Sequence, residues 1–154
     1  MTFTVAWRGR VIRAGLAAWL VGLAGWAGPA GAAPTEGERL YTGAIPLPGR
    51  IWGHERDLPQ EASRCTNCHV RSARPAAASA PATVVGPLLS ADALGSLRSR
   101  RGGPPTRFDA VSLCRLLRHG IDPAEIVVPR VMPRYTVSDA QCRALWQHLA
   151  SPAP

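Results

Sequence analysis

Cys65-Thr66-Asn67-Cys68-His69, held within Ser63-Arg64 and Val70-Arg71, is the stretch on which the reading of this chain turns. The C-x-x-C-H spacing has a chemical reason. Two thiols three positions apart reach the two vinyl groups of one porphyrin, and the next residue turns its imidazole toward the iron on the same face. This is the attachment motif for c-type haem. It makes Cys65 and Cys68 the thioether carriers and His69 the proximal iron ligand. One motif implies one covalent haem c. Two other readings stand beside it. A thioredoxin-like redox pair shares the C-x-x-C spacing but favours a βαβ setting, which is absent here. A zinc site would recruit Cys114 or Cys142 with His119 or His148.

An iron held by one histidine needs a second ligand or keeps an open site. Met1 belongs to the leader described below, which leaves Met132 as the one methionine of the mature chain. It sits in Val128-Pro129-Arg130-Val131-Met132-Pro133-Arg134-Tyr135, where prolines on both sides stiffen an extended loop. Met132 is therefore the candidate distal ligand, 63 residues after His69. The plainer reading is a methionine filling a gap in the core. His54, His119 and His148 are fallback distal ligands. The last two fall near predicted helix C-termini, where a histidine favourable to the helix dipole is common.

The leader is read from the first 32 residues. Arg8, Arg10 and Arg13 form a positive region, Ala14 to Ala27 is uncharged and apolar, and Ala30-Gly31-Ala32 fits a small-residue cleavage site. Residues 1–32 thus read as a secretory signal peptide. The apolar stretch is short of the ~20 residues of a membrane span, and no Arg-Arg pair marks the twin-arginine route. An uncleaved N-terminal anchor is the rival reading. Cleavage leaves residues 33–154 in the periplasm, with no stable membrane span. It lowers the net charge from +8 to +5 and removes four of nine aromatic side chains. The remaining five make a thin core for the length, and a porphyrin would supply the missing apolar surface. All the basic residues are arginine. Nucleic acid is a poor partner for an exported chain despite that charge.

The mature part reads as one mostly α domain with long irregular loops. Thr35 and Glu38 suggest a capping box opening a short helix through Tyr41. Residues 42–64 form a Pro- and Gly-rich loop, and a helical turn should carry the Cys65–His69 motif. Residues 71–85 are a low-complexity Ala/Pro-rich loop. Ser90 is a cap for a helix through Leu97, with Leu94 and Leu97 pointing inward. Ala110, Leu113, Cys114 and Leu117 fall at helical spacing, with Gly120 as the stop. Ser138 and Gln141 cap a last helix whose stripe is Cys142, Leu145, Trp146 and Leu149. Cys114 and Cys142 both lie on buried stripes and remain as an even pair in an oxidising compartment. A disulfide joining the two helices follows, with buried free thiols as the alternative.

These islands resemble a small monohaem class I-type cytochrome c. The resemblance rests on Cys65-Thr66-Asn67-Cys68-His69, Gly86-Pro87-Leu88, Met132-Pro133-Arg134-Tyr135 and the terminal helix through Trp146. Gly37 and Tyr41 resemble the small-then-aromatic pair that such proteins press against their terminal helix. The resemblance implies a small helical fold around one haem, and a Pro87 carbonyl that orients His69 through its free ring nitrogen. It implies an electron-transfer protein rather than an enzyme, passing single electrons between redox partners such as a dehydrogenase or an oxidase. Arg98, Arg100 and Arg101 are candidate docking residues or a solvated loop. The alternative is a haem oxidoreductase, or the cytochrome subunit of one, whose distal site opens or switches beside His54.

Overall fold

Residues 32–72 and 86–153 are described by the computed structural model. The leader, apart from Ala32, and most of the Ala/Pro-rich loop 71–85 lie outside them. Among the described residues four helices dominate: α1 (Glu36–Thr42), α2 (Ala91–Gly95), α3 (Ala110–His119) and α4 (Asp139–Ala150). A two-stranded antiparallel ribbon joins β1 (Gly49–Arg50) to β2 (Arg134–Tyr135), with Gly49 opposite Tyr135. The protein is mostly α. None of these helices is long and apolar enough to cross a membrane.

Local chemistry explains the helix ends. The Thr35 hydroxyl accepts from the Glu38 amide at 3.1 Å, and Ser90 accepts from Ala93 at 3.0 Å. Helix α4 starts with a full capping box. Ser138 accepts from the Gln141 amide at 3.2 Å, while the Gln141 side chain accepts from the Ser138 amide at 2.9 Å. Asp109 and Ser112 make the same reciprocal pair at the start of α3. Gly120 ends α3 at φ 70°, where a side chain would be strained.

One expectation fails at α2. The helix stops at Gly95 and Ser96 is extended, so Leu97 falls out of helical phase and is 65% exposed, while Leu94 is buried.

Helix α4 is the centre of the packing, touching α1, α2 and α3. Its buried stripe is Cys142, Leu145 and Leu149. Leu40 and Leu145 are each 2% exposed, and each such burial is worth roughly 1.5–3 kcal/mol. Gly37 lets α1 cross α4 closely, because a Cβ there would overlap the Ala144 carbonyl. The Tyr41 ring meets the His148 ring of α4 with centroids 5.5 Å apart.

Cys114 and Cys142 form a disulfide between α3 and α4, with an S–S distance of 2.09 Å and Cα atoms 5.3 Å apart. That excludes the zinc arrangement, which needed one of these thiols. The arginine loop is also engaged. Arg98 pairs with Asp92 at 2.8 Å, and Arg100 donates to the Ala93 and Thr106 carbonyls and lies over the Phe108 ring. Arg101 reaches Asp122, which is fully buried and also accepts from the Ala124 and Ile126 amides. These guanidinium groups brace loops 98–106 and 121–127 rather than standing free.

Candidate functional site

Cys65–Asn67 is a 3₁₀ turn, tightened by the Cys68 and His69 amides, which both donate to the Cys65 carbonyl. It is held from both ends by side chains distant in sequence. Before the turn, Ser63 is buried and its hydroxyl donates to the Leu47 carbonyl, while the Tyr135 hydroxyl donates to the Ser63 carbonyl at 2.9 Å. After it, the Tyr41 hydroxyl donates to the His69 carbonyl at 2.8 Å. Asn67 donates to the Glu61 carbonyl at 2.6 Å. These restraints fix where the Cys65, Cys68 and His69 side chains begin.

Gly86-Pro87 lies against the His69 ring. The Gly86 amide donates to the Cys68 carbonyl at 2.8 Å, and any Cβ on Gly86 would overlap the imidazole. Glycine is thus required for this approach. His69 Nδ1 lies 2.8 Å from the Pro87 carbonyl. A carbonyl can only accept, so Nδ1 carries the proton and Nε2 keeps its lone pair. Burial lowers the His69 pKa below its ordinary value, partly offset by the Pro87 bond. The ring is therefore neutral at neutral pH, the protonation state a metal ligand requires.

Cys65 and Cys68 are free thiols, each half-buried. Burial pushes the Cys65 thiol up to about 11, and the neighbouring Cys68 adds to the rise. A redox-active C-x-x-C pair needs a depressed thiol pKa, so the shift at Cys65 runs against a thioredoxin-like role. The Tyr135 hydroxyl is raised too, first by burial and then by Cys65 and Cys68. Tyr135 and both thiols therefore share one neighbourhood.

Met132 is half-buried against the hydrophobic core, at the end of a turn in which its amide donates to the Pro129 carbonyl at 3.1 Å. Three residues on, Tyr135 makes the bond to Ser63, so β2 ties the Met132 loop to the entrance of the cysteine turn. Neither His54 nor His119 is buried; both are exposed. His148 packs its ring against Tyr41 at the crossing of α1 and α4.

No family model matches this chain, and no curated protein or solved structure does either.

The structure therefore gathers Cys65, Cys68, His69 and Pro87 in one place, links the Met132 loop to it, and sets Cys114–Cys142 elsewhere as a brace. The sequence reading missed both tyrosine hydroxyl bonds and the Arg134 contacts around Met132. Tyr135 follows Met132 closely, but nothing local to it marks a bond reaching back 72 residues.

Proposed function

We propose that the chain is an exported monohaem c-type cytochrome with a class I-type fold, carrying single electrons between periplasmic redox proteins. The observation that carries this reading is the His69–Pro87 bond. It leaves an unprotonated Nε2 beside two free thiols on the same turn, while the other two cysteines are consumed in a disulfide. That donor set fits haem c: two thiols for the porphyrin, a neutral imidazole for the iron, and a half-buried thioether on an adjoining loop. When bound, the haem supplies a one-electron couple.

The chain's own residues do the rest. Cys65 and Cys68 would hold the group covalently. Pro87 fixes the tautomer and orientation of His69, the role such outer carbonyls play for ligating histidines. Met132 would supply a second, thioether ligand to the iron, which would keep exchangeable ligands out and favour the reduced state. A dehydrogenase or an oxidase is the class of partner this implies.

The test is expression of the full chain in a host that matures c-type cytochromes. Acidified acetone should fail to extract the colour, and replacing Cys65 and Cys68 with alanine should abolish covalent attachment. A colourless product with both thiols alkylatable overturns the reading.

A further inference from the structure

Among the described residues, Arg134 is a partly buried cation without an anion. The ion pairs among the described residues join other arginines to Asp57, Asp92, Asp122, Glu125 and Asp139, and Arg134 is in none of them. Its guanidinium instead donates to two main-chain carbonyls, Met132 at 2.7 Å and Val128 at 3.3 Å. Carbonyls compensate a desolvated charge less well than a carboxylate does. The placement is nevertheless specific. Gly120, at the end of α3, lies flush beneath the guanidinium, where any Cβ would overlap it. Gly120 and Val128 are themselves joined, the Val128 amide donating to the Gly120 carbonyl at 2.8 Å.

The fork thus closes the turn from Val128 to Met132 on itself and seats it on the end of α3. The base of Arg134 is fixed as well, because β2 pairs with Arg50 of β1. Pro129 and Pro133 stiffen this turn, but a proline fixes only its own φ and biases the residue before it. Pro133 biases Met132 toward an extended backbone but does not tie its peptide to the rest of the fold. The bond to the Met132 carbonyl supplies that tie, holding the backbone from which the Met132 side chain starts against Arg134 and the end of α3. A planar guanidinium holds two acceptors at fixed separation, which a lysine ammonium on its flexible stem does not.

We propose that Arg134 is a positioning residue for Met132, locking the loop so that the thioether stays on the iron and exogenous ligands stay out. This rests on the haem reading above, with Met132 as distal ligand.

The test uses the purified, haem-loaded full chain and two variants. Arg134→Gln removes the charge and one arm of the fork. Arg134→Lys keeps the charge and loses the fork. Three readouts separate positioning from simple stability: the far-red charge-transfer band of thioether-bound ferric iron, carbon monoxide binding by the reduced protein, and the urea midpoint. The Gln variant should bind carbon monoxide roughly tenfold faster, the change in open fraction that one charge-assisted hydrogen bond corresponds to. It should also lose the far-red band at a urea concentration where the helical signal is intact. The Lys variant should fall between parent and Gln. If Arg134→Gln does not fold, Arg134→Lys alone decides by the same two spectroscopic readouts. A variant that keeps the parent's band and carbon monoxide exclusion up to global unfolding overturns this inference and leaves the haem reading intact. A parent with covalent haem but no far-red band overturns it together with the Met132 assignment.

Discussion

Tyr41 donates its hydroxyl to the main-chain carbonyl of His69 at 2.8 Å, so the helix that lies against α4 also holds the last residue of the Cys65–His69 turn. One side chain thereby couples the α1–α4 packing to the candidate ligand. Burial pushes this phenol up to about 12, the neighbouring Cys65 adds to the rise, and Arg71 opposes it. The hydroxyl remains a donor throughout the neutral range.

Tyr41→Phe keeps the ring on His148 and removes only that donor. It should cost about 1 kcal/mol of unfolding free energy, the net worth of one buried hydrogen bond. The sign of the alkaline effect follows from the raised pKa. Above the ordinary value of 10 the unfolded chain loses this proton first, so stability is full below that pH and falls as pH rises toward about 12. Urea titrations at neutral and alkaline pH should show both the loss at neutral pH and a flatter alkaline decline in the variant. Identical curves for parent and variant would remove the bond from the account.

How much of this was legible in the sequence depends on the range over which each signal acts. Ser138 with Gln141, Gly120 as a stop, and the stripe of Cys142, Leu145 and Leu149 are local, and they predict α3 and α4 closely. The pairing of Gly49-Arg50 with Arg134-Tyr135 was invisible. Two-residue strands show no alternation, and their partners lie far apart in the chain. Leu97 was misread because helical phase was extended past Gly95. At the site, Cys65, Cys68 and His69 are contiguous and carry their own chemistry. Pro87 entered by resemblance alone. The tyrosine hydroxyl bonds and the Arg134 fork depend on tertiary packing, which no local pattern encodes.

The Cys114–Cys142 bridge closes a separation of 28 residues between α3 and α4. Replacing both cysteines with alanine should lower stability by roughly 3–4 kcal/mol on the loop-entropy account. Equilibrium unfolding of the double variant measures this, and peptide mapping without reduction checks the bond itself. Two alkylatable thiols at these positions in the air-exposed folded protein would contradict the structure.

His148 predicts an acid-side loss. Its pKa is lowered, chiefly by burial and then by the Arg71 cation, while Glu38 on α1 pulls the other way. The Arg71 guanidinium donates to the His148 carbonyl at 2.6 Å, and the buried His148 Nε2 has no partner among the described residues. The unfolded chain therefore binds a proton near pH 6.5 before the folded chain does. Stability is full above that value and declines as pH falls below it. His69 contributes a slope of the same sign, so the measurement is the difference between parent and His148→Gln in urea midpoints from about pH 7.5 to 5. The variant should lose less stability over that range. Equal slopes would rule His148 out as a contributor.

Met132→Ala separates a distal ligand from a core filler, because the two roles leave different traces. As a filler, the half-buried Met132 would lose at most the roughly 2–5 kcal/mol of a large-to-small truncation, and the spectrum would not change. As a ligand, its loss opens the second iron position of the haem-loaded protein. The reduced variant should then bind carbon monoxide while the parent excludes it. The reduction potential should fall, because the soft thioether that favours the ferrous state is gone. Stability should fall as well, since the turn ending at Met132 loses its hold on the haem while Arg134 still clamps the backbone. The decisive comparison is between the potential and the urea midpoint of the same preparation. A lowered midpoint with unchanged potential and unchanged ligand exclusion would assign Met132 to the core and move His54 to the front as the distal ligand.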